Sequence, residues 1–190
     1  MIDIDNNLPL TIDSVNNISE DTIFAEHFLN RHNGLRKLHG APELVLSSEL
    51  ITMACKWANK LSEKGHVAFA EIRVGENITV FPEDISAKEI VDYWYDENRK
   101  YEYETPGWQA GANYFTQIVW KSTKEIGVSR VKLQLSLVEN QQNTNKDNSE
   151  IIKRNKSVIV VAFYRPAGNS NRSGQFALNV SKPLIENGTR

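Results

Sequence analysis

Apolar residues follow a helical rhythm through the first half of the chain and a strand rhythm through much of the second. Asp21 can cap a helix whose apolar face runs Phe24, Phe28, Leu35 and Leu38, with Gly40 and Pro42 as the stop. His32 shares that face, where a hydrogen-bonded structural histidine is far commoner than a catalytic base. Ser47 or Ser48 opens a second helix carrying Leu50, Ala54, Trp57 and Leu61 at a helical period, with Gly65 as its end and Cys55 as small filler beside the stripe. Ser86 and Glu89 form a capping box for a third helix whose inner face reads Ile90, Trp94 and Glu97.

Two β-rich runs follow, Ile126 to Leu137 and Val158 to Tyr164, with Gly75 to Val80 a shorter strand candidate upstream. Between the long runs, six of the nine residues Asn140 to Asn148 are Asn or Gln, too polar to order themselves by burial, so a disordered loop is expected at about 139–157. Residues 1–20 are expected to form a flexible N-terminal arm, 21–180 one domain, and 181–190 a tail. From Asn169 on, a closing strand is expected before that tail. Helices first and strands later predict an α+β domain in which helices cover an antiparallel sheet.

Composition narrows the function classes. The 190 residues carry a formal charge of -2, so the basic footprint of a nucleic-acid binder is missing. No apolar run approaches the roughly 20 residues of a membrane-spanning helix. The single cysteine, Cys55, forms no internal disulfide, and neither a signal-peptide pattern nor a myristoylation glycine is visible, so a cytoplasmic location is expected. Six N-glycosylation sequons, at Asn17, Asn77, Asn155, Asn171, Asn179 and Asn187, point instead to the secretory pathway, although abundant asparagine generates such triplets by chance. Export by an unconventional route is the alternative. No serine sits in a Gly-x-Ser-x-Gly elbow, and nucleophilic catalysis finds no support.

Five strings stand in order along the chain: His32-Asn33-Gly34-Leu35-Arg36, Gly75-Glu76-Asn77-Ile78, Tyr93-Trp94-Tyr95-Asp96-Glu97, Phe115-Thr116-Gln117-Ile118-Val119-Trp120, and Val160 through Asn169 ending in Pro166-Ala167-Gly168-Asn169. Together they resemble the motifs of the CAP superfamily, which includes cysteine-rich secretory proteins, antigen 5 and pathogenesis-related proteins. The likeness spans roughly residues 24–180, and the scarcity of cysteine is similar to the intracellular, Golgi-associated branch. It implies a three-layer α-β-α sandwich with a mainly antiparallel sheet. It also implies structural roles for His32, Asn33, Arg36, Asn77, Trp94, Gln117 and Trp120.

The resemblance further implies a cleft of two histidines and two glutamates, which in many members binds zinc. His66, Glu76 and Glu97 match three positions; the fourth is Tyr114, and a phenol with a reference pKa near 10 is a poor zinc ligand at neutral pH. No tight metal is expected, with His66 the one candidate ligand. In the cleft reading Glu76 and Glu97 accept hydrogen bonds from His66 and the Tyr114 hydroxyl. The residues by themselves leave open that Glu97 reaches solvent and that His66 is an ordinary loop histidine. His27 and His39 are expected to be exposed.

The stretch Tyr93 to Trp120 is dense in aromatics, and exposed rings at Tyr101, Tyr103 and Trp108 would suit a flat apolar ligand or a membrane interface, unless they simply pack under loops. The resemblance favours a non-enzymatic protein binding lipid, sterol or a membrane surface, peripheral on Golgi or other membranes, and able to form a homodimer. The alternatives are a metal-dependent hydrolase using His66 with Glu76 or Glu97, and a protein-interaction module acting through the Asn/Gln-rich loop and the N-terminal arm.

Overall fold

The computed structural model describes the backbone over residues 12–70, 72–133 and 156–184, with side chains from Glu20 onward. In chain order the elements are α1 (Ile12–Leu38), β1 (Val45–Leu46), α2 (Ser48–Lys64), β2 (Gly75–Pro82), α3 (Ala87–Tyr95), a 3-10 turn (Asp96–Lys100), α4 (Asn113–Val119), β3 (Glu125–Lys132), β4 (Ser157–Arg165) and α5 (Gln175–Asn179). The sheet runs β1-β3-β4-β2, with β1 parallel to β3 and the other pairs antiparallel.

Strand β4 explains the three layers. Val158 through Tyr164 are all buried because both faces of the strand are covered, which is why this run shows no polar alternation. Val158, Val160, Ala162 and Tyr164 pack with Phe28, Leu35, Trp94 and Phe115 of α1, α3 and α4. Ile159, Val161 and Phe163 pack with Leu50, Ala54, Ala58 and Leu61 of α2. Helix α2 lies so close to β3 that a Cβ on Gly127 would fall 2.3 Å from the Ile51 backbone nitrogen. The expected α-β-α sandwich is therefore the observed one.

Local signals hold at the helix ends. Ser47 caps α2 by accepting from Leu50 N, and Gly65 closes it in the left-handed region at φ 70. Ser86 and Glu89 form the full capping box on α3. Ser86→Ala is expected to cost about 1 kcal/mol, read as a lower denaturant midpoint with an unchanged slope; an unchanged midpoint would show that the cap contributes nothing.

Several expectations are corrected. Helix α1 begins at Ile12, so the stretch read as an arm is helical from that residue on, and Asp21 lies within the helix. Leu38 ends the apolar face but is exposed, and Trp57 is only half-buried. Cys55 faces solvent rather than filling the core. Glu97 lies on the 3-10 turn beyond α3, and the segment after Asn169 folds into α5 rather than a strand. Helix α4 and the two-residue β1 carried no period long enough to read. Strand β3 ends at Lys132, and the Asn/Gln-rich segment falls almost wholly outside the described residues. The tail, expected from residue 181, starts tied down: Leu184 N donates to Leu38 O, and Lys182 pairs with Glu104.

Candidate functional site

Helix α1 supplies the polar centre of the larger core. His32 is fully buried, with Nδ1 2.9 Å from Phe28 O and Nε2 2.9 Å from Tyr164 Oη. A ring nitrogen facing a carbonyl must carry the proton, so Nδ1–H donates to Phe28 O and Nε2 accepts from the Tyr164 hydroxyl. Tyr164 in turn accepts from Asn77 Nδ2, at 3.3 Å. A chain of hydrogen bonds thus joins β2, β4 and α1, and burial without charge holds His32 down to about 3 and raises Tyr164 far above the usual phenol range.

One turn later, Arg36 spreads its guanidinium over four carbonyls, those of Pro42, Ile118, Trp120 and Thr123. Burial lowers it to about 10. Asn33 binds both N–H and C=O of Leu44, fixing the return of the chain after α1. Gln117 sits between two glycines: its Oε1 accepts from Gly168 N, and a Cβ on Gly75 would lie 2.0 Å from that oxygen. The Gly75 and Gly168 motifs are thus two walls of one slot for Gln117. Asn169 completes it, donating to Asn113 O and accepting from Thr116 Oγ1. Trp94 Nε1 donates to Thr79 Oγ1, and Trp120 packs edge-on against Phe176. His32, Asn33, Arg36, Asn77, Trp94, Gln117 and Trp120 each make a hydrogen bond or ring contact within the fold.

The four cleft residues are placed differently. Glu97 Oε2 accepts from Tyr114 N at 2.7 Å and Phe115 N at 3.3 Å, so its carboxylate caps the amino end of α4, where Ala112 has no capping side chain. The Tyr114 hydroxyl donates to Ile78 O at 2.7 Å. Glu76 Oε2 accepts from Ala70 N at 2.8 Å, while burial raises its pKa, the Ala70 bond and the nearby Trp57 indole opposing. Glu76 Oε1 and Trp57 Nε1 are both buried and fall short of hydrogen-bond geometry with any partner. His66 is exposed, with Nδ1 3.2 Å from Lys64 O. The expected bonds from His66 and the Tyr114 hydroxyl to the two glutamates are therefore replaced by backbone partners.

Zinc fits this donor set poorly. Glu97 and the Tyr114 hydroxyl are committed to backbone groups, and among the described residues no three His, Cys, Asp or Glu side chains converge for a metal ion.

The aromatic loop also divides. Tyr101 is buried at 5% exposure and Tyr103 packs half-buried against Phe115, so neither is the exposed ring expected; Trp108 is, at 56%. Gln109 braces this loop, accepting from Glu102 N and donating to Glu102 O and Thr105 O. His39, expected at the surface, is buried between Ser181 O and Tyr95 Oη. Its two partners come from distant sequence, and no local signal announces them. Of the sequons, Asn77 and Asn179 are buried and hydrogen-bonded, which leaves no room for a glycan, whereas Asn171 is exposed.

The model of the cysteine-rich secretory protein family, CAP, matches residues 29–136. Golgi-associated plant pathogenesis-related protein 1 of Homo sapiens is 31% identical over 172 residues, covering 84% of this chain and 94% of that protein. Secreted protein RBT4 of Candida albicans is 31% identical over 154 residues, but this chain spans only 37% of its length. Among solved structures, the Schistosoma mansoni venom allergen-like protein 4 superposes with a TM-score of 0.57 at 18% identity, over 85% of this chain and 96% of that one, a likeness of fold. With its motifs locked together as described, this chain belongs to the cysteine-rich secretory protein (CAP) family and its pathogenesis-related group.

Proposed function

We propose that the protein is a non-enzymatic CAP-domain protein that binds lipid or sterol, at a membrane surface or in solution, through the face that presents Trp108. The observation that carries this reading is the exposed Trp108 on a loop that Gln109 hydrogen-bonds at Glu102 and Thr105 and that Tyr101 and Tyr103 anchor against Phe115. An indole offers a large apolar area with one polar edge, the chemistry suited to the boundary between water and an apolar ligand. Its loop loses little entropy on binding because it is already braced.

The cleft residues argue against turnover: Glu97 Oε2 accepts from the amino end of α4 and the Tyr114 hydroxyl donates to Ile78 O. Among the described residues no helix is long and apolar enough to cross a membrane, so attachment by this reading is peripheral. The human relative's name gives the Golgi as one such membrane.

Flotation with neutral, anionic and sterol-containing vesicles, together with a sterol-binding assay, tests the proposal. Binding is expected, and Trp108→Ala is expected to weaken it about tenfold with the thermal midpoint unchanged. Absence of binding to every vesicle and sterol by the wild-type protein would overturn it.

A further inference from the structure

Helix α2 borders a groove of about 650 Å³, bounded on its other side by Ala68, Phe69, Ala70 and Ile72. Its walls are apolar: Met53 and Trp57 on the helix, Ala68, Phe69 and Ile72 opposite, with Phe163 at the floor. Phe69 is 69% exposed, a large ring left in water at the groove's edge. Lys56, Lys60 and Lys64 also line the groove, and among the described residues none of them has an ion-pair partner. Lys60 Nζ sits 5.2 Å from the centre of the Trp57 ring, which holds its charge over the apolar wall.

The spacing of these lysines selects an occupant. They stand four residues apart, so their charges recur about every 6 Å along α2, a row of about 12 Å or roughly two helical turns beside the groove. A single anionic head group would engage one or two of them and leave the row unmatched. A partner helix with acidic residues four apart along one edge and an apolar stripe beside them repeats at the same period, and meets both the row and the groove. We infer that this face of α2 is a docking groove for an acidic amphipathic helix of a partner protein. It lies apart from Trp108 in the fold and does not depend on the lipid reading. The overall charge of -2 gives no hint of it, since the basic character is confined to one helix edge.

A charge swap on the full chain tests the inference. The probe is a fluorescent, helix-stapled peptide of about three turns with a Leu/Ile stripe and Glu at three positions four apart, alongside the same peptide with Lys at those positions. Anisotropy is expected to show the Glu peptide binding the wild-type protein at least about tenfold more tightly than the Lys peptide. The triple variant K56E/K60E/K64E is expected to invert that preference, and its exposed positions allow folding to be checked by an unchanged thermal midpoint. Phe69→Asp is expected to weaken both complexes. Equal binding of the two peptides, a preference that survives the triple variant, or displacement of the peptide from the groove by oleate or anionic vesicles would overturn it. Loss of vesicle binding in Trp108→Ala with the peptide preference intact would separate this groove from the lipid-binding face.

Discussion

Arg36→Ala is expected to destabilise the protein by about 4 kcal/mol, the largest effect of any single truncation of a polar side chain in the fold. Arg36 is fully buried and among the described residues no carboxylate is its partner; its charge is held by the carbonyls of Pro42, Ile118, Trp120 and Thr123. Two of these end α4, where helical carbonyls have no partner along the chain, and Pro42 marks the turn after α1. Removing the guanidinium relieves a desolvated charge, seen in its lowering to about 10, but strands acceptors that water cannot reach. The second effect wins because each orphaned carbonyl costs about 1–3 kcal/mol. Arg36→Lys keeps the charge yet lacks the planar fork, so it is expected to recover less than half of the loss. Guanidinium denaturation of the three proteins checks this; an Arg36→Ala loss below about 1 kcal/mol would refute the assignment of Arg36 as the tie between α1 and α4.

That tie shows where sequence reading works and where it stops. The motifs were legible as strings, and the helix caps at Ser47, Gly65 and Ser86 follow from local chemistry that three or four residues contain. What a motif residue does depends on partners outside its own string, some of them very far along the chain, as with Arg36 and Ile118, separated by 82 residues, or His32 and Tyr164, separated by 132. Glu97 is the instructive case. A carboxylate on an apolar helix face signals a buried role, but the partner could be a histidine, a hydroxyl or a backbone N–H. The choice fell to the N–H groups of α4, a helix of seven residues too short to show a period. His39 misled for a similar reason, since its burial comes from Ser181 and Tyr95 rather than from its own turn of helix. The row of Lys56, Lys60 and Lys64 stands at helical spacing in the sequence, yet acquires meaning only where Ala68, Phe69, Ala70 and Ile72 line a groove beside it.

Acid is expected to weaken the fold through His32, and the pH window follows from its surroundings. The unfolded residue takes up its proton near 6.5, whereas the native one resists until about 3, mainly because burial opposes charge and Arg36 adds repulsion, with the Phe28 carbonyl in partial opposition. Above pH 6.5 neither state is protonated and this contribution is constant. Between 6.5 and 3 only the unfolded state binds the proton, so stability falls as pH falls. Over the whole window the loss is roughly 4 to 5 kcal/mol, and His39, lowered by its own burial, adds in the same direction. The geometry gives the reason in atoms: a second ring proton at Nε2 would point at a Tyr164 hydroxyl that is already donating to that nitrogen. His32→Gln removes the titration while keeping a polar group near Phe28 O. Between pH 7.5 and pH 4 the wild-type protein is expected to lose about 3 kcal/mol more than this variant, so the two stability curves converge toward acid. Parallel curves would mean that His32 titrates normally in the native state, and that the hydrogen-bonded chain from Asn77 through Tyr164 does not hold it neutral.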